Sequence, residues 1–146
     1  MSQVLNMFNS VGAEQFTNMI CQIAPYFSTI TPSMTTLRPG YAEATVPLRR
    51  EVTNHLGTMH AIALCNAAEL VAGTMTDASI PEGYRWIPKG MSVEYLAKVK
   101  TDIRAVADGS AIDWTQAGDQ VVPVDVFDTE GKKVFAARIT MNVKAA

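Results

Sequence analysis

The sequence predicts an α+β fold: a single antiparallel sheet wrapped around a long central helix, with a further helical segment at the N-terminus. Three observations carry this prediction. Apolar residues recur with helical spacing in two stretches and with a period of two in most of the others. The period-two stretches are separated by short turn signals, which favours hairpins and antiparallel pairing. One helical stretch is apolar on nearly every side, so another element must enclose it.

In chain order, Phe16, Met19, Ile20 and Ile23 follow the i, i+3, i+4, i+7 pattern of an amphipathic helix that Pro25 closes, giving a helical segment over 1–26. From Thr29 the Thr, Ser and Pro content suits an irregular edge strand. Tyr41 to Leu48 alternates, with Ala42, Ala44, Val46 and Leu48 on the inner side. A loop over Arg49 to Gly57 leads to the central helix, expected over 58–76 with Thr58 as its N-cap. Met91, Val93, Tyr95, Ala97 and Val99 then share one face of a long strand, followed by Ile103, Ala105 and Ala107. Val122, Val124 and Val126 form the next strand, and Phe135 to Val143 the last. Asp108-Gly109, Ala117-Gly118-Asp119 and Asp128 to Lys132 are the turns between them.

Composition narrows the function classes. A chain of 146 residues without repeats or linkers is expected to form one domain. Twelve basic and fourteen acidic residues give a net charge of -2, which argues against a nucleic-acid binder. An apolar share of 48% argues against disorder. Cys21 and Cys65 form no CxxC pair, so neither a disulfide scaffold nor a metal site is expected. The first basic residue is Arg38, and no apolar run reaches the length of a membrane span. The expectation is a cytoplasmic protein with reduced thiols and no membrane partner.

The charge distribution is more informative than the total. Between Glu51 and Asp77 the only formally charged residue is Glu69, and both histidines, His55 and His60, lie in the same window. Ile62, Leu64, Cys65, Ala68, Leu70 and Val71 surround Glu69 on the helix, so a desolvated carboxylate is expected, a placement enriched at functional sites. A wet helix edge, or a local pair with Asn66, is the structural alternative.

The window Asn54-His55-Leu56-Gly57-Thr58-Met59-His60, with Glu69 nine residues after His60, resembles the hotdog-fold acyl-CoA thioesterases, in particular the phenylacetate-pathway type. That family carries Asn-x-x-Gly-x-x-His at the mouth of the central helix and an acidic residue at the same offset. The resemblance covers Tyr41 to Val143 and departs from the family in two places. Ala61 and Ile62 stand where Gly-Gly is usual, and Glu69 replaces an Asp.

The resemblance implies thioester hydrolysis, of acyl-coenzyme A or an acyl carrier protein, in a homodimer or a dimer of dimers. Coenzyme A would enter only as part of the substrate. Glu69 would act as general base or nucleophile, Ala61 as oxyanion donor and Gly57 as the point of close backbone approach. Asn54 would orient water or the carboxylate, and His60 would hydrogen-bond near the thioester. Glu69 of one subunit would face Asn54 and His60 of the other. Arg49, Lys98 and Lys100 are candidates for the coenzyme phosphates, and Met59, Met75 and Met91 for an acyl channel. Trp86 and Trp114 read as packing residues. Two alternatives stay open: a non-catalytic acyl-CoA or fatty-acid binding protein, and a hydroxyacyl dehydratase using His55 and Glu69.

Overall fold

In the computed structural model, which describes residues 2–146, the alternating segments form one six-stranded antiparallel sheet. Met1, the first residue of the expected N-terminal segment, lies outside the described residues. The chain runs α1 (Gln3–Ile23), β1 (Ser33–Arg38), β2 (Tyr41–Val46), α2 (Ala61–Ser79), β3 (Tyr84–Tyr95), β4 (Ile103–Asp108), β5 (Gly118–Phe127) and β6 (Lys133–Ala145). The spatial order is β1-β2-β4-β5-β6-β3. Because β2 lies near one edge and β3 forms the other, α2 connects them across the sheet face. This is the hotdog arrangement, with α1 added at the N-terminus.

Strand alternation is as expected where one face meets α2. Ala42, Ala44, Val46, Ala105, Ala107, Val122, Val124, Val126 and the series Phe135 to Val143 are buried. The register sets Ala42 opposite Ala107 and Ala44 opposite Ala105. Ala67, Ala68 and Ala72 of α2 are likewise fully buried. Methyl-sized side chains on both surfaces let the helix sit close to the strands.

Several expectations are corrected. α1 is broken at Gly12, whose φ of 84° and ψ of 170° are not helical. Pro25 does close α1, but residues Pro25–Ile30 form a 3-10 turn, so β1 begins at Ser33 rather than Thr29. β2 ends at Val46, leaving Leu48 outside it.

The central helix starts at Ala61 and ends at Ser79, not at 58 and 76. Its N-cap is His60, whose Nδ1 accepts from the Ile62 N–H at 3.0 Å, because the Thr58 hydroxyl is engaged by Asn54. Nor is α2 enclosed all round: Ile62 and Glu69 are exposed and Cys65 is half-buried. These three fall on one stripe by their i, i+3, i+7 spacing.

β3 differs most. It spans Tyr84–Tyr95, while Ala97 and Val99 lie in the link to β4. A register shift between Pro88 and Gly90 inserts one residue. As a result Trp86 and Pro88, opposite Val143 and Met141, share the helix-side face with Met91, Val93 and Tyr95. At this edge Met91 and Tyr95 stay exposed instead of entering the core.

Candidate active site at the central helix

The loop before α2 is built by Asn54. Its Oδ1 accepts from the backbone N–H groups of Leu56 (2.9 Å) and Thr58 (3.2 Å), and its Nδ2 donates to Thr58 Oγ1 (3.0 Å). The backbone closes the same turn, with the Asn54 N–H donating to the Thr58 carbonyl and the Gly57 N–H to the Asn54 carbonyl. Gly57 sits at φ 77°, in the left-handed region that disfavours a side chain. Asn54 therefore holds the loop, and its carboxamide is committed there rather than free to orient water.

This loop delivers His60 and Ala61 to the start of α2. Because His60 Nδ1 accepts from Ile62, the neutral ring carries its proton on Nε2 and offers a donor outward. The Met59 N–H donates to the Val99 carbonyl and the His60 N–H to the Val52 carbonyl, fixing the approach to the helix. The Ala63 and Leu64 N–H groups both donate to the His60 carbonyl. Ala61 is left as the first-turn residue whose N–H has no protein acceptor among the described residues. An open N–H at a helix N-terminus, aligned with the helix dipole, is suited to a developing negative charge.

Glu69 lies eight residues further on, about 12 Å along the axis. It is exposed and makes no hydrogen bond or ion pair among the described residues. The expectation of a desolvated carboxylate is corrected for the single chain, because the open stripe of α2 leaves it in contact with solvent. Asn66 is not its partner: Asn66 Nδ2 donates to Thr29 Oγ1 at 3.2 Å, and its Oδ1 is buried without a partner.

Several clefts flank the helix. Glu69 stands at the rim of an apolar cleft of about 520 Å³ between α1, the 3-10 turn, α2 and β3. Asn54, Ala61, Tyr95 and Lys98 line a second cleft of about 350 Å³ at the start of α2. Within one chain Asn54 and Ala61 thus share a cleft, His60 lines another with Tyr26 and Asn66, and Glu69 stands apart from both. Tyr95 reaches from β3 towards α2, with its hydroxyl 3.8 Å from Cys65 Sγ. That contact, followed by burial, raises its pKa above the ordinary tyrosine value.

Of the candidate coenzyme ligands, Lys98 and Lys100 are exposed and make no ion pair among the described residues. Arg49 is committed to structure: it donates to Thr31 Oγ1 (3.1 Å) and the Thr29 carbonyl and pairs with Glu51 (3.3 Å). Met59 lines the second cleft, Met75 is fully buried and Met91 is exposed, so none of the three lines the apolar cleft. Trp86, read from sequence as packing, does line it. Among the described residues no group of three or more His, Cys, Asp or Glu is placed to hold a metal ion. No helix among them is long and apolar enough to cross a membrane.

Residues 12–143 match the family described as Domain of unknown function (DUF4442). The chain belongs to that family. Among solved structures, the DUF4442 chain is similar to the structural-genomics target APC5556, with 63% identity and a TM-score of 0.91 over 99% of this chain and 97% of that one. More distant likenesses show the same fold. The thioesterase HI1161 of Haemophilus influenzae is 20% identical, with a TM-score of 0.79 over 90% of each chain. A thioesterase family protein of Silicibacter pomeroyi is 16% identical, with a TM-score of 0.76 over 88% of this chain and 96% of that one. No curated protein matches the DUF4442 chain.

Proposed function

We propose that the protein hydrolyses acyl thioesters, of coenzyme A or of a carrier protein, to free acid and thiol in a site shared by two protomers. The observation that carries this reading is the presence on one helix of an uncommitted N–H, at Ala61, and an exposed, unpaired carboxylate, Glu69, in the lining of an apolar cleft. The thioesterase names of the distant fold relatives support it.

One helix cannot bring both groups to one carbonyl. An oxyanion donor works at about 2.7–3.1 Å and a general base within hydrogen-bond reach or one water away, whereas these two lie about 12 Å apart. A two-fold partner resolves this, because antiparallel central helices set Glu69 of one protomer against the partner's Ala61. β3 supports such pairing: among the described residues its outer edge has no strand partner, and Met91 and Tyr95 on it, like Ile62 on α2, are exposed. Glu69 takes a proton from water as the oxygen attacks the thioester carbon. The carbonyl oxygen becomes an oxyanion held by the partner's Ala61 N–H and the helix dipole, with the partner's His60 Nε2–H beside it. Collapse breaks the carbon–sulfur bond, and the proton on Glu69 passes to the leaving thiolate. Lys98, which lines the second cleft, and the exposed Lys100 two residues on are the cations proposed for the coenzyme phosphates.

No contact favours the dehydratase alternative: His55 is exposed on the loop and its side chain makes no hydrogen bond among the described residues, whereas His60 caps α2. The deciding experiment is thiol release from a panel of short, long and aromatic acyl-coenzyme A substrates. We expect Glu69→Gln to fold normally and to lose about 10²–10⁴-fold in rate, the range of a general base. Unchanged turnover in that variant refutes the assignment, and tight acyl-CoA binding without thiol release in the wild type supports a binding protein instead.

A further inference from the structure

We propose that Trp86 closes the far end of the apolar cleft and sets the longest acyl chain the site accepts. The identity of the ligand as an acyl chain rests on the thioesterase reading; the position of the barrier does not. From Glu69 the cleft follows α2 past Leu70, Gly73 and Thr74 to Asp77, about 12 Å along the helix axis. Its opposite wall comes from α1 and the 3-10 turn, through Ile20, Ile23 and Phe27. The charged groups of the lining stand only at the two ends of its α2 wall: Glu69, exposed, at one, and Asp77, half-buried and accepting from the indole, at the other. That pattern fits a ligand with one polar end and an apolar body, as an acyl chain has.

The indole is clamped in place by two contacts. Its Nε1–H donates to Asp77 Oδ1 at 3.0 Å. Its ring edge lies on the helix at Gly73, where a Cβ would stand 2.9 Å from Cη2, so only glycine leaves room for the ring in this position. A further cleft of about 480 Å³ adjoins the apolar one, with Gln3, Pro39, Glu82 and Tyr84 in its lining. Val4 and Asp77 border both clefts. Of these two clefts Trp86 lines only the apolar one, so its indole, held by Asp77, bounds that cleft on the side where Asp77 borders the more polar one.

The test compares wild type, Trp86→Ala and Trp86→Phe with saturated fatty acids from hexanoate to stearate, by displacement of a fluorescent fatty acid. Thiol release from the matching acyl-coenzyme A series is measured in parallel, with circular dichroism as the check on folding. In the wild type we expect binding to strengthen with length up to a limit and then to stop improving. Trp86→Ala should move that limit to longer chains, each newly buried methylene tightening binding about fourfold. Trp86→Phe should move it less, and it keeps the test available if the alanine variant does not fold. A limit unmoved in the folded variants, or no fatty-acid binding by the wild type, overturns the proposal. A Trp86-dependent limit in binding without thiol release sustains the barrier and refutes the hydrolase reading. Thiol release whose length profile ignores Trp86 does the reverse.

Discussion

Ala61→Pro removes one atom pair from the proposed site, the N–H at the start of α2, and the structure allows its cost to be worked out. The Ala61 N–H donates to no protein acceptor among the described residues, so no hydrogen bond is lost. Ala61 is the first residue of the helix, where proline is favoured because its fixed φ suits the helix and its missing donor is an orphan in any case. His60, at φ -63° and ψ 138°, already has the extended conformation that a following proline requires. Stability should therefore be unchanged or rise by about 0.4–1 kcal/mol, through the smaller entropy of the unfolded chain. Hydrolysis should fall about 10²–10³-fold, the loss expected for one oxyanion donor, or about 2.7–4 kcal/mol of transition-state stabilisation. Urea unfolding measures the first quantity and thiol release the second. Co-expression with Glu69→Gln adds a sharper readout. A mixed dimer holds one site in which Glu69 of the Ala61→Pro chain meets the intact Ala61 N–H of its partner, so activity should reappear although each variant alone is impaired. A stable, fully active Ala61→Pro protein refutes the oxyanion assignment, and mixed dimers no more active than their parents refute the shared site.

Other consequences are open to simpler measurement. Asn54→Ala should lose about 3 kcal/mol in urea unfolding, from three loop-closing hydrogen bonds at about 1 kcal/mol each, whereas Asn54→Asp keeps the acceptor of two of them and should stay within about 1 kcal/mol of wild type. Retained hydrolysis in Asn54→Asp marks the residue as a holder of the loop, and its abolition in a stable protein marks direct contact with the reacting groups. Met75→Ala, at a fully buried position, should cost about 2–5 kcal/mol by the same assay. Hydrogen bonds from Ser110 to Asp108, and from Thr115 to Asp113, hold both carboxyls below the usual aspartate range. Their contribution is therefore present above the unfolded value, near pH 4, and is lost as the pH falls through the lower folded values. The urea midpoint should drop on that acid limb, and less steeply in the Asp108→Asn, Asp113→Asn double variant.

The strands facing α2 were legible because burial on one side forces a period of two, as in Ala42, Ala44 and Val46 or in Phe135 to Val143. β3 was not, for a physical reason. It is an edge strand whose helix-side residues remain partly exposed, and its extra residue near Lys89 shifts Trp86 and Pro88 out of phase with Met91 and Val93. The sequence points to a start of α2 three residues too early because Thr58 has the chemistry of an N-cap, but Asn54 engages its hydroxyl and His60 caps instead. Within the candidate site, the motif from Asn54 to His60 marked the correct loop. It left open that Asn54 supports the backbone rather than faces the reaction. The charge-poor run around Glu69 implied enclosure, yet one stripe of α2 lies open in a single chain. The role of Trp86 is hidden in the sequence because its neighbours Gly73 and Asp77 come from a different element. Gly73, a glycine inside a helix, was the available signal of close approach.

The alanine pairs beneath α2 have a consequence for how the protein tolerates mutation. Ala42 opposite Ala107 and Ala44 opposite Ala105 touch no candidate reacting group, yet they determine how near the helix that carries Ala61 and Glu69 lies to the sheet. Truncation has little left to remove at these positions, so the damaging direction is growth. A valine at one of them would have to lift the helix or strain its own rotamer, at about 1–3 kcal/mol. In a deep mutational scan these sites should therefore respond to side-chain volume rather than polarity, tolerating glycine and serine better than valine or leucine. The spacing of the two candidate groups across a dimer would then depend on residues that never meet the substrate.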